Sequence, residues 1–359
     1  MSNYFNQREK NANTMLKNVL IELPLFCFDY FTGIEQNTSI LTRLNYAYDL
    51  RIFFEYMVNE IPEFQGMKVK YLTVSSLERI TATDIERYLS YVSYYEHENK
   101  DLSNHERGKA RKLASLRSFY KYFFNKGAIV ANTAAKVYMP KIHEKEIVRL
   151  EVDEVVKILN EAENGANLQG RSKAFNKLTS KRDLAILTLF LGTGIRISEL
   201  VGLNVKDIDF NVNGFTITRK GGNRVILYFS DEVAKTLAEY LIEREELANN
   251  PKKPIVDDSA LFLSLQNRRI SVRAVQNLVK KYSAIAAPLK KISPHKLRST
   301  YGTNLYRETQ DIYVVADVLG HKDVNTTKRH YAAISDDIRR NAATKVILRT
   351  ETKEDKEIE

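Results

Sequence analysis

The sequence predicts a mainly α-helical protein with two domains: a helical N-terminal domain, and a C-terminal α+β domain that carries a small antiparallel sheet. Apolar residues recur at helical spacing along most of the chain, as in Leu50, Phe53, Phe54 and Met57, which share one helix face. Strand-like runs are short and are confined to residues 207–229. The length of 359 residues accommodates two domains of common size, each with its own core.

The bulk composition favours a soluble protein with a polyanionic partner. The formal net charge is +10, which nominates nucleic acid first and an anionic membrane second; a merely basic soluble protein is the alternative. No run approaches the roughly 18 apolar residues that a membrane helix needs, and the N-terminus lacks the apolar core of a signal peptide. The single cysteine, Cys27, excludes an internal disulfide and a cysteine-based zinc site. We therefore expect a cytoplasmic protein without membrane association.

The N-terminal half is predicted to be helical from Ser39 onward. In TATDIERYLSYV, Thr83 is placed to cap a helix whose first turn carries Asp84 and Glu86, since acidic groups suit the positive end of the helix dipole. The next helix lies within residues 104–127 and ends at Gly127, because glycine commonly follows the last helical turn.

This second helix is strongly basic. Residues 101–127 contain seven lysines and arginines against two acidic residues, and Arg107 and Arg111 lie four apart on one face. A solvated basic face would explain the pattern, and a helix that contacts DNA phosphates is the sharper hypothesis. The candidate DNA-binding residues are Arg107, Lys109, Arg111, Lys112 and Arg117.

A polar stretch, MPKIHEKEIVRL at residues 139–150, contains Pro140 and predicts an interdomain linker. Only 38 residues precede Ser39, and segments below about 40 residues rarely fold alone, so we expect an extension there and not a further domain. The predicted divisions are an N-terminal extension (1–38), a first domain (39–138), the linker (139–150), a second domain (151–347) and an acidic tail (348–359).

The second domain begins with a helix in EVDEVVKILNEA, and an apolar helix follows at residues 182–194. The runs GFTITRK and NRVILYF meet around Gly221 and Gly222, which predicts a β-hairpin. Further helices are predicted at about residues 231–248, 271–286, 294–307 and 311–319.

Four separate stretches of this domain concentrate reactive side chains: GTGIRISEL, TRKGGNR, SPHKLRST and LGHKDVNTTKRHY. His295 and Arg298 lie at i and i+3, hence on one helix face, with Pro294 suited to the first turn. Each stretch taken alone has an ordinary structural explanation. Together they supply the candidate catalytic residues Arg196, Lys220, His295, Arg298, His321 and Tyr331, with Glu199 in support.

This set, in this order, resembles the tyrosine site-specific recombinases, the family of phage integrases and Xer proteins, over residues 39–341. The single-protein Xer-like type, without a separate arm-binding domain, is the most similar. The resemblance implies a helical core-binding (SAM-like) domain and a catalytic domain that cleaves and rejoins DNA through a 3′-phosphotyrosyl intermediate and a Holliday junction. It implies no metal, cofactor or ATP. The implied partners are duplex DNA with inverted-repeat half-sites and three further copies of a protein that is monomeric in solution.

The residue types suit this chemistry. Attack on a phosphodiester builds negative charge on the non-bridging oxygens, which Arg196 and Arg298 can clamp while they remain charged. Tyrosine has an ordinary pKa of about 10, so nearby cations and His295 would favour its phenolate. Lys220 would protonate the leaving 5′-oxygen, and His321 would hold the phosphate or the tyrosine. Glu199 is expected to orient Arg196.

Some alternatives stay open. Many members of the family place the tyrosine nine residues after the third-motif histidine, whereas here His330 is ninth and Tyr331 tenth. Histidine also attacks phosphorus in other enzymes, so His330 is the second candidate nucleophile. A type IB topoisomerase-like enzyme and a non-cleaving sequence-specific DNA-binding protein are the alternative functions. By resemblance, a C-terminal helix around Ile338, Ala342 and Val346 would dock on a neighbouring protomer.

Overall fold

The computed structural model describes residues 3–97, 99–143, 148–219, 222–249, 254–321, 323–325 and 327. The chain divides into two compact units, Met1–Lys145 and Glu146–Glu359. Their boundary lies within the stretch predicted as a linker. Both units are mainly helical and the second contains the predicted antiparallel sheet, so the predicted fold class is confirmed. The first unit also has a two-stranded sheet within residues 94–103 that was not predicted. No helix in the described ranges is long and apolar enough to cross a bilayer.

The first unit is a helical assembly around an aromatic core. Phe53, Tyr88 and Phe119 are fully buried, and the Phe119 ring packs edge-on against Tyr30, with centroids 4.9 Å apart. Its elements are α1 (Asn3–Glu22), α2 (Cys27–Gly33), α3 (Ile40–Glu60), α4 (Val74–Glu78), α5 (Ala82–Tyr91), β1 (Tyr94–His97), β2 (Lys100–Ser103), α6 (Glu106–Asn125) and α7 (Thr133–Lys136).

Residues 3–37 belong to this unit and are not an appendage to it. Leu16, Val19, Leu20 and Leu23 follow helical spacing and are all buried in the same core cluster, and α1 packs along α3. The i, i+3, i+4, i+7 pattern of these four residues was a readable helix signal. Length alone predicted an extension, and tertiary burial made the segment part of the domain.

The start of α5 differs from the prediction by two residues. Thr81 is the N-cap, with its hydroxyl accepting from the backbone N–H of Asp84, while the Asp84 carboxylate accepts from the backbone N–H of Thr81 at 2.9 Å. Thr83 lies inside the helix. The T-x-x-D pattern that begins at Thr81 satisfies two N-terminal backbone donors at once, which a cap at Thr83 would leave unpaired.

The second unit combines helices with a three-stranded antiparallel sheet. Its elements are α8 (Val152–Asn164), α9 (Gly170–Thr193), α10 (Ile197–Gly202), β3 (Ile208–Asp209), β4 (Gly214–Thr218), β5 (Arg224–Tyr228), α11 (Asp231–Ala248), α12 (Val272–Ala286), α13 (Pro294–Thr309) and α14 (Ile312–Leu319). The strand order is β3-β4-β5. The predicted hairpin is β4–β5, with Phe215 opposite Leu227 and both side chains buried.

Helix α9 organises this unit, because it packs against α8, α11 and α13. It begins at Gly170, well before the predicted start at residue 182. A buried carboxylate, Asp183, ties the helix to α12: it accepts hydrogen bonds from Tyr282 at 2.7 Å and Lys281 at 3.1 Å. A buried charge is tolerated only when it is paired and hydrogen-bonded, so these contacts hold α9 in one position. Its C-terminal end carries the first of the four motifs.

Candidate active site

The first motif is the short turn that connects α9 to α10. Helix α9 ends at Thr193, Gly194 adopts a left-handed conformation (φ 60°), and Arg196 is the N-cap of α10. A Cβ at Gly194 would lie 2.5 Å from a ring carbon of Tyr301, so only glycine fits both the conformation and the space. Tyr301 is on α13, and the turn is therefore pressed against that helix.

Glu199 holds Arg196 from two directions. Its carboxylate accepts from the Arg196 backbone N–H at 2.9 Å and from Nη1 of the guanidinium at 2.9 Å. The Glu199 side chain is only 7% exposed, whereas that of Arg196 is 37% exposed. A buried carboxylate thus orients a guanidinium that still faces solvent.

The two motif arginines meet at the end of α14. Nη2 of Arg196 donates to the carbonyl oxygens of Leu319 at 3.1 Å and Gly320 at 2.9 Å. Arg298 donates through Nη2 to the same Leu319 oxygen and through Nη1 to the Gly194 carbonyl at 2.5 Å. Because the last carbonyls of a helix lack partners within it and carry partial negative charge, they attract cations. The two guanidiniums consequently lie side by side at one carbonyl oxygen.

Helix α13 presents the third motif. Pro294 occupies its first turn, and His295 and Arg298 lie one turn apart. His295 is exposed, while Arg298 is only 5% exposed. The hydroxyl of Thr300 accepts from the backbone N–H of Leu150 at 3.0 Å, which fixes the helix to the start of this unit.

His321 follows the helix cap at Gly320 directly. Its backbone N–H donates to the Ala316 carbonyl at 2.9 Å, and its Nδ1 lies 2.7 Å from the hydroxyl of Thr327, which is fully buried. The hydroxyl contact sets the orientation of the imidazole ring. Arg196 binds the carbonyl of Gly320, the residue directly before His321. The backbone of His321 therefore lies next to the arginine pair.

A third arginine reaches the same helix end, and sequence reasoning did not single it out. Arg219 follows β4 and donates through Nη2 to the Val318 carbonyl at 2.7 Å and through Nη1 to the Asp317 carbonyl at 3.3 Å. Desolvation lowers the pKa of this guanidinium, and the nearby charge of Arg196 adds to that effect, against the opposing influence of Glu199. In the sequence, the feature that could have identified Arg219 is its position directly before Lys220 at the end of a predicted strand.

The described structure thus brings Arg196, Glu199, Arg298 and His321 to one locus, with His295 on the same helix as Arg298. Lys220, His330 and Tyr331 lie outside the described residues, as does the predicted docking segment around residues 338–346. Their roles remain predictions from the sequence.

The basic helix α6 is only partly a solvent face. Lys112 is 2% exposed and its Nζ lies 3.3 Å from the buried carboxylate of Asp49, so the prediction that Lys112 contacts DNA is wrong. Burial raises the pKa of Asp49 and lowers that of Lys112, although the charge of each residue stabilises the charged form of its partner and opposes the shift. Lys112 neighbours Leu113 on the buried stripe, and its long apolar stem suits that position.

The other members of the basic set divide in two. Arg107 and Arg111 are exposed, and Arg111 also pairs with Asp49. Arg117 is half-buried and donates to the backbone carbonyls of Ala134, at 3.3 Å, and Val137. Lys109 is half-buried, and its contact with DNA stays a prediction.

Comparison with known proteins identifies the family of this chain. The family model described as "Phage integrase family" matches residues 148–337, more than half of the chain. The tyrosine recombinase XerC of Caldanaerobacter subterraneus subsp. tengcongensis is 35% identical over 326 residues, covering 88% of this chain and 84% of the relative.

Two solved structures share the fold. XerH site-specific recombinase bound to palindromic difH substrate in a post-cleavage complex has a TM-score of 0.59 at 20% identity, over 86% of this chain and 81% of that one. A lambda integrase tetramer bound to a Holliday junction has a TM-score of 0.58 at 16% identity, over 85% of this chain and 76% of that one. The arginine pair at the end of α14 therefore lies in a chain that belongs to the phage integrase family, a tyrosine recombinase that breaks and rejoins DNA in site-specific recombination.

Proposed function

We propose that this recombinase exchanges strands between two duplexes through a 3′-phosphotyrosyl intermediate and a Holliday junction, with Tyr331 as the nucleophile. The observation that carries the proposal is the pair of guanidiniums, Arg196 and Arg298, that share the Leu319 carbonyl. Two adjacent permanent cations suit the pentacoordinate phosphorus, whose non-bridging oxygens gain negative charge as the nucleophile attacks.

Arg196 is the arginine that a phosphate reaches first. A guanidinium carries five N–H donors, and three hydrogen bonds of Arg196 go to Glu199, Leu319 and Gly320. Its side chain is 37% exposed, so the remaining edge faces solvent. Arg298 is buried beside it and contributes its charge from a less hydrated position, where electrostatic interactions are stronger.

The proton transfers are assigned to the neighbouring bases and to the hairpin. Tyr331 forms the bond from its phenolic oxygen to phosphorus, and the bond from phosphorus to the 5′-oxygen breaks. The phenolic proton passes to a base, for which His295 is the candidate, and Lys220 gives a proton to the leaving 5′-oxygen. His321, oriented by Thr327, supports the phosphate or the tyrosine. Rejoining is the reverse reaction, so the link conserves the energy of the broken bond.

The likeness to the complexes named above supports the proposed assembly. We assign the first unit as the core-binding domain and the second as the catalytic domain, acting as a homotetramer on inverted-repeat half-sites. The C-terminal segment around Ile338, Ala342 and Val346 is proposed to dock on a neighbouring protomer. Chromosome dimer resolution and mobile-element integration or excision are both compatible with this activity, and we place the protein in the cytoplasm at the nucleoid.

The test uses two differently labelled duplexes that carry a site found by footprinting the protein on DNA that flanks its gene. Recombinant products that combine both labels, together with a four-way junction intermediate, are expected. Relaxation of supercoiled DNA without recombinant product would favour a topoisomerase-like enzyme. Binding without any covalent intermediate would overturn the catalytic assignment.

The salt dependence of binding separates the two classes of basic residue on α6. Arg107→Ala is expected to weaken DNA binding for all sequences and to reduce the slope of log K against log salt by about 1, because one phosphate contact is lost. Lys112→Met is the matched control. It should leave that slope unchanged and lower the free energy of unfolding by about 1–3 kcal/mol, because it leaves the buried Asp49 with one partner fewer. Equal slope changes in both variants would contradict the orientation of α6.

A further inference from the structure

We propose that Arg219 is a positioning residue that anchors the β4–β5 hairpin to the end of α14 and thereby places Lys220 for proton transfer to the leaving oxygen. The inference rests on the proposed function, since it concerns the same reaction. Arg219 itself is not assigned a contact with DNA.

The geometry at the helix end is the first support. Arg219 takes the carbonyls of Asp317 and Val318, while Arg196 takes those of Leu319 and Gly320. Four consecutive carbonyls, from Asp317 to Gly320, thus accept hydrogen bonds from arginines of three different segments, because Arg298 also donates to Leu319. Arg219 binds the hairpin to the same short piece of backbone that holds the arginine pair.

The second support is the close approach at Gly320. This residue has φ 60°, and a Cβ on it would lie 2.2 Å from Nη1 and 2.4 Å from the central carbon of the Arg219 guanidinium. The absence of a side chain at Gly320 therefore lets the guanidinium approach the helix end this closely. The same left-handed turn directs the chain into His321.

The third support is chain connectivity. The backbone N–H of Arg219 donates to the Asn223 carbonyl at 2.8 Å, beyond the last strand pair of Thr218 and Arg224, so Arg219 closes the base of the hairpin turn. Lys220 is the next residue, and consecutive Cα atoms are about 3.8 Å apart. Arg219 is consequently adjacent in the chain to Lys220, the proposed proton donor.

Arg219 is poorly placed to bind a phosphate. Both of its Nη atoms are engaged by carbonyls, and its Nε is buried without a hydrogen-bond partner among the described residues. Arg196 also uses both of its Nη atoms, so the contrast between the two arginines rests on the buried Nε of Arg219. Two roles for Arg219 are then to be distinguished by experiment. One is to position Lys220, and the other is only to stabilise α14.

A substrate with a different leaving group distinguishes the two roles of Arg219. Nicked duplexes are prepared with either an ordinary phosphodiester or a 5′-bridging phosphorothiolate at the scissile position. A thiol has an ordinary pKa near 8.5, so a thiolate departs without the proton that an alkoxide requires. Loss of proton donation therefore slows the first substrate and spares the second, whereas damage to the arginine pair or to the fold slows both.

We expect Arg219→Gln to slow single-turnover cleavage of the ordinary substrate by about 10²-fold, the lower range for loss of general acid catalysis, and to cut the phosphorothiolate within a few-fold of the wild-type rate. Arg219→Lys keeps a charge but lacks the two-pronged donor, so a partial defect with the same rescue is expected. Arg224→Gln, an exposed arginine of the same hairpin, is the control whose ratio of the two rates should match the wild type.

The outcomes are distinct. If Lys220→Ala is rescued by the phosphorothiolate but neither Arg219 variant is, then Arg219 is a structural residue and the inference is overturned while the proposed function stands. If Lys220→Ala is not rescued, Lys220 is not the proton donor, and that part of the proposed function fails together with the inference. Should Arg219→Gln not fold, as judged by circular dichroism, Arg219→Lys decides the matter by the same rate ratio.

Discussion

Replacing Tyr331 with phenylalanine is expected to abolish the covalent protein–DNA adduct, whereas His330→Ala is expected to retain it. Phenylalanine keeps the ring and removes only the oxygen that would attack phosphorus, so the change isolates the chemistry from packing. The substrate is a nicked suicide duplex, from which the cleaved strand end diffuses away and leaves the adduct trapped. The adduct is measured as a shifted band on a denaturing gel, with both variants checked for unchanged DNA binding.

An adduct that survives Tyr331→Phe and disappears in His330→Ala would assign the nucleophile to the histidine. The two linkages also differ chemically, because a phosphorus–nitrogen bond is cleaved by mild acid and a phosphotyrosine is not. Because His330 is nine and Tyr331 ten residues after His321, the pair of variants distinguishes the two candidate nucleophiles directly.

Loss of either arginine of the pair is expected to slow cleavage by about 10²–10³-fold, since each stabilises charge that develops only in the transition state. The two variants should differ in stability. Arg298→Gln leaves the buried carbonyls of Gly194 and Leu319 with fewer partners and should lower the free energy of unfolding by about 1–3 kcal/mol. Arg196→Gln acts at a side chain that is 37% exposed, so a smaller loss is expected.

Single-turnover cleavage rates and urea denaturation of the two variants test this directly. Tyr306→Phe serves as a matched control on α13, because it changes a residue of the same helix that is not placed in the site. If Arg298→Gln cleaved at the wild-type rate, the proposal that the shared Leu319 carbonyl marks the phosphate site would be wrong. If both arginine variants lost stability equally, the difference in their burial would have no energetic consequence.

Local features were well predicted where the physics is local. The spacing of His295 and Arg298 placed them on one helix face, and the glycine pair with flanking strands predicted the β4–β5 hairpin. The cap of α5 was misplaced because two threonines compete there, and only the T-x-x-D pattern distinguishes Thr81 from Thr83.

Errors arose where burial decides. Lys112 carries the same charge as Arg107 and lies in the same basic run, yet it faces Asp49 in the core. The partner is 63 residues away in sequence, so no local pattern reveals it. Arg219 was passed over for the same reason, because its significance depends on backbone carbonyls of α14, 98 and 99 residues further along the chain.

By itself, the sequence predicted the mainly helical class and the antiparallel hairpin, since these follow from periods of two and 3.6 residues. The candidate reactive residues came from four motifs that, in their order, resemble those of a known family. Only the tertiary structure decided that Arg196 and Arg298 share one acceptor. The Leu319 carbonyl lies 123 residues from Arg196 and 21 from Arg298. A main-chain carbonyl has no side-chain signature in the sequence, and its exposure at the end of a short helix becomes a binding feature only when packing brings both arginines to it.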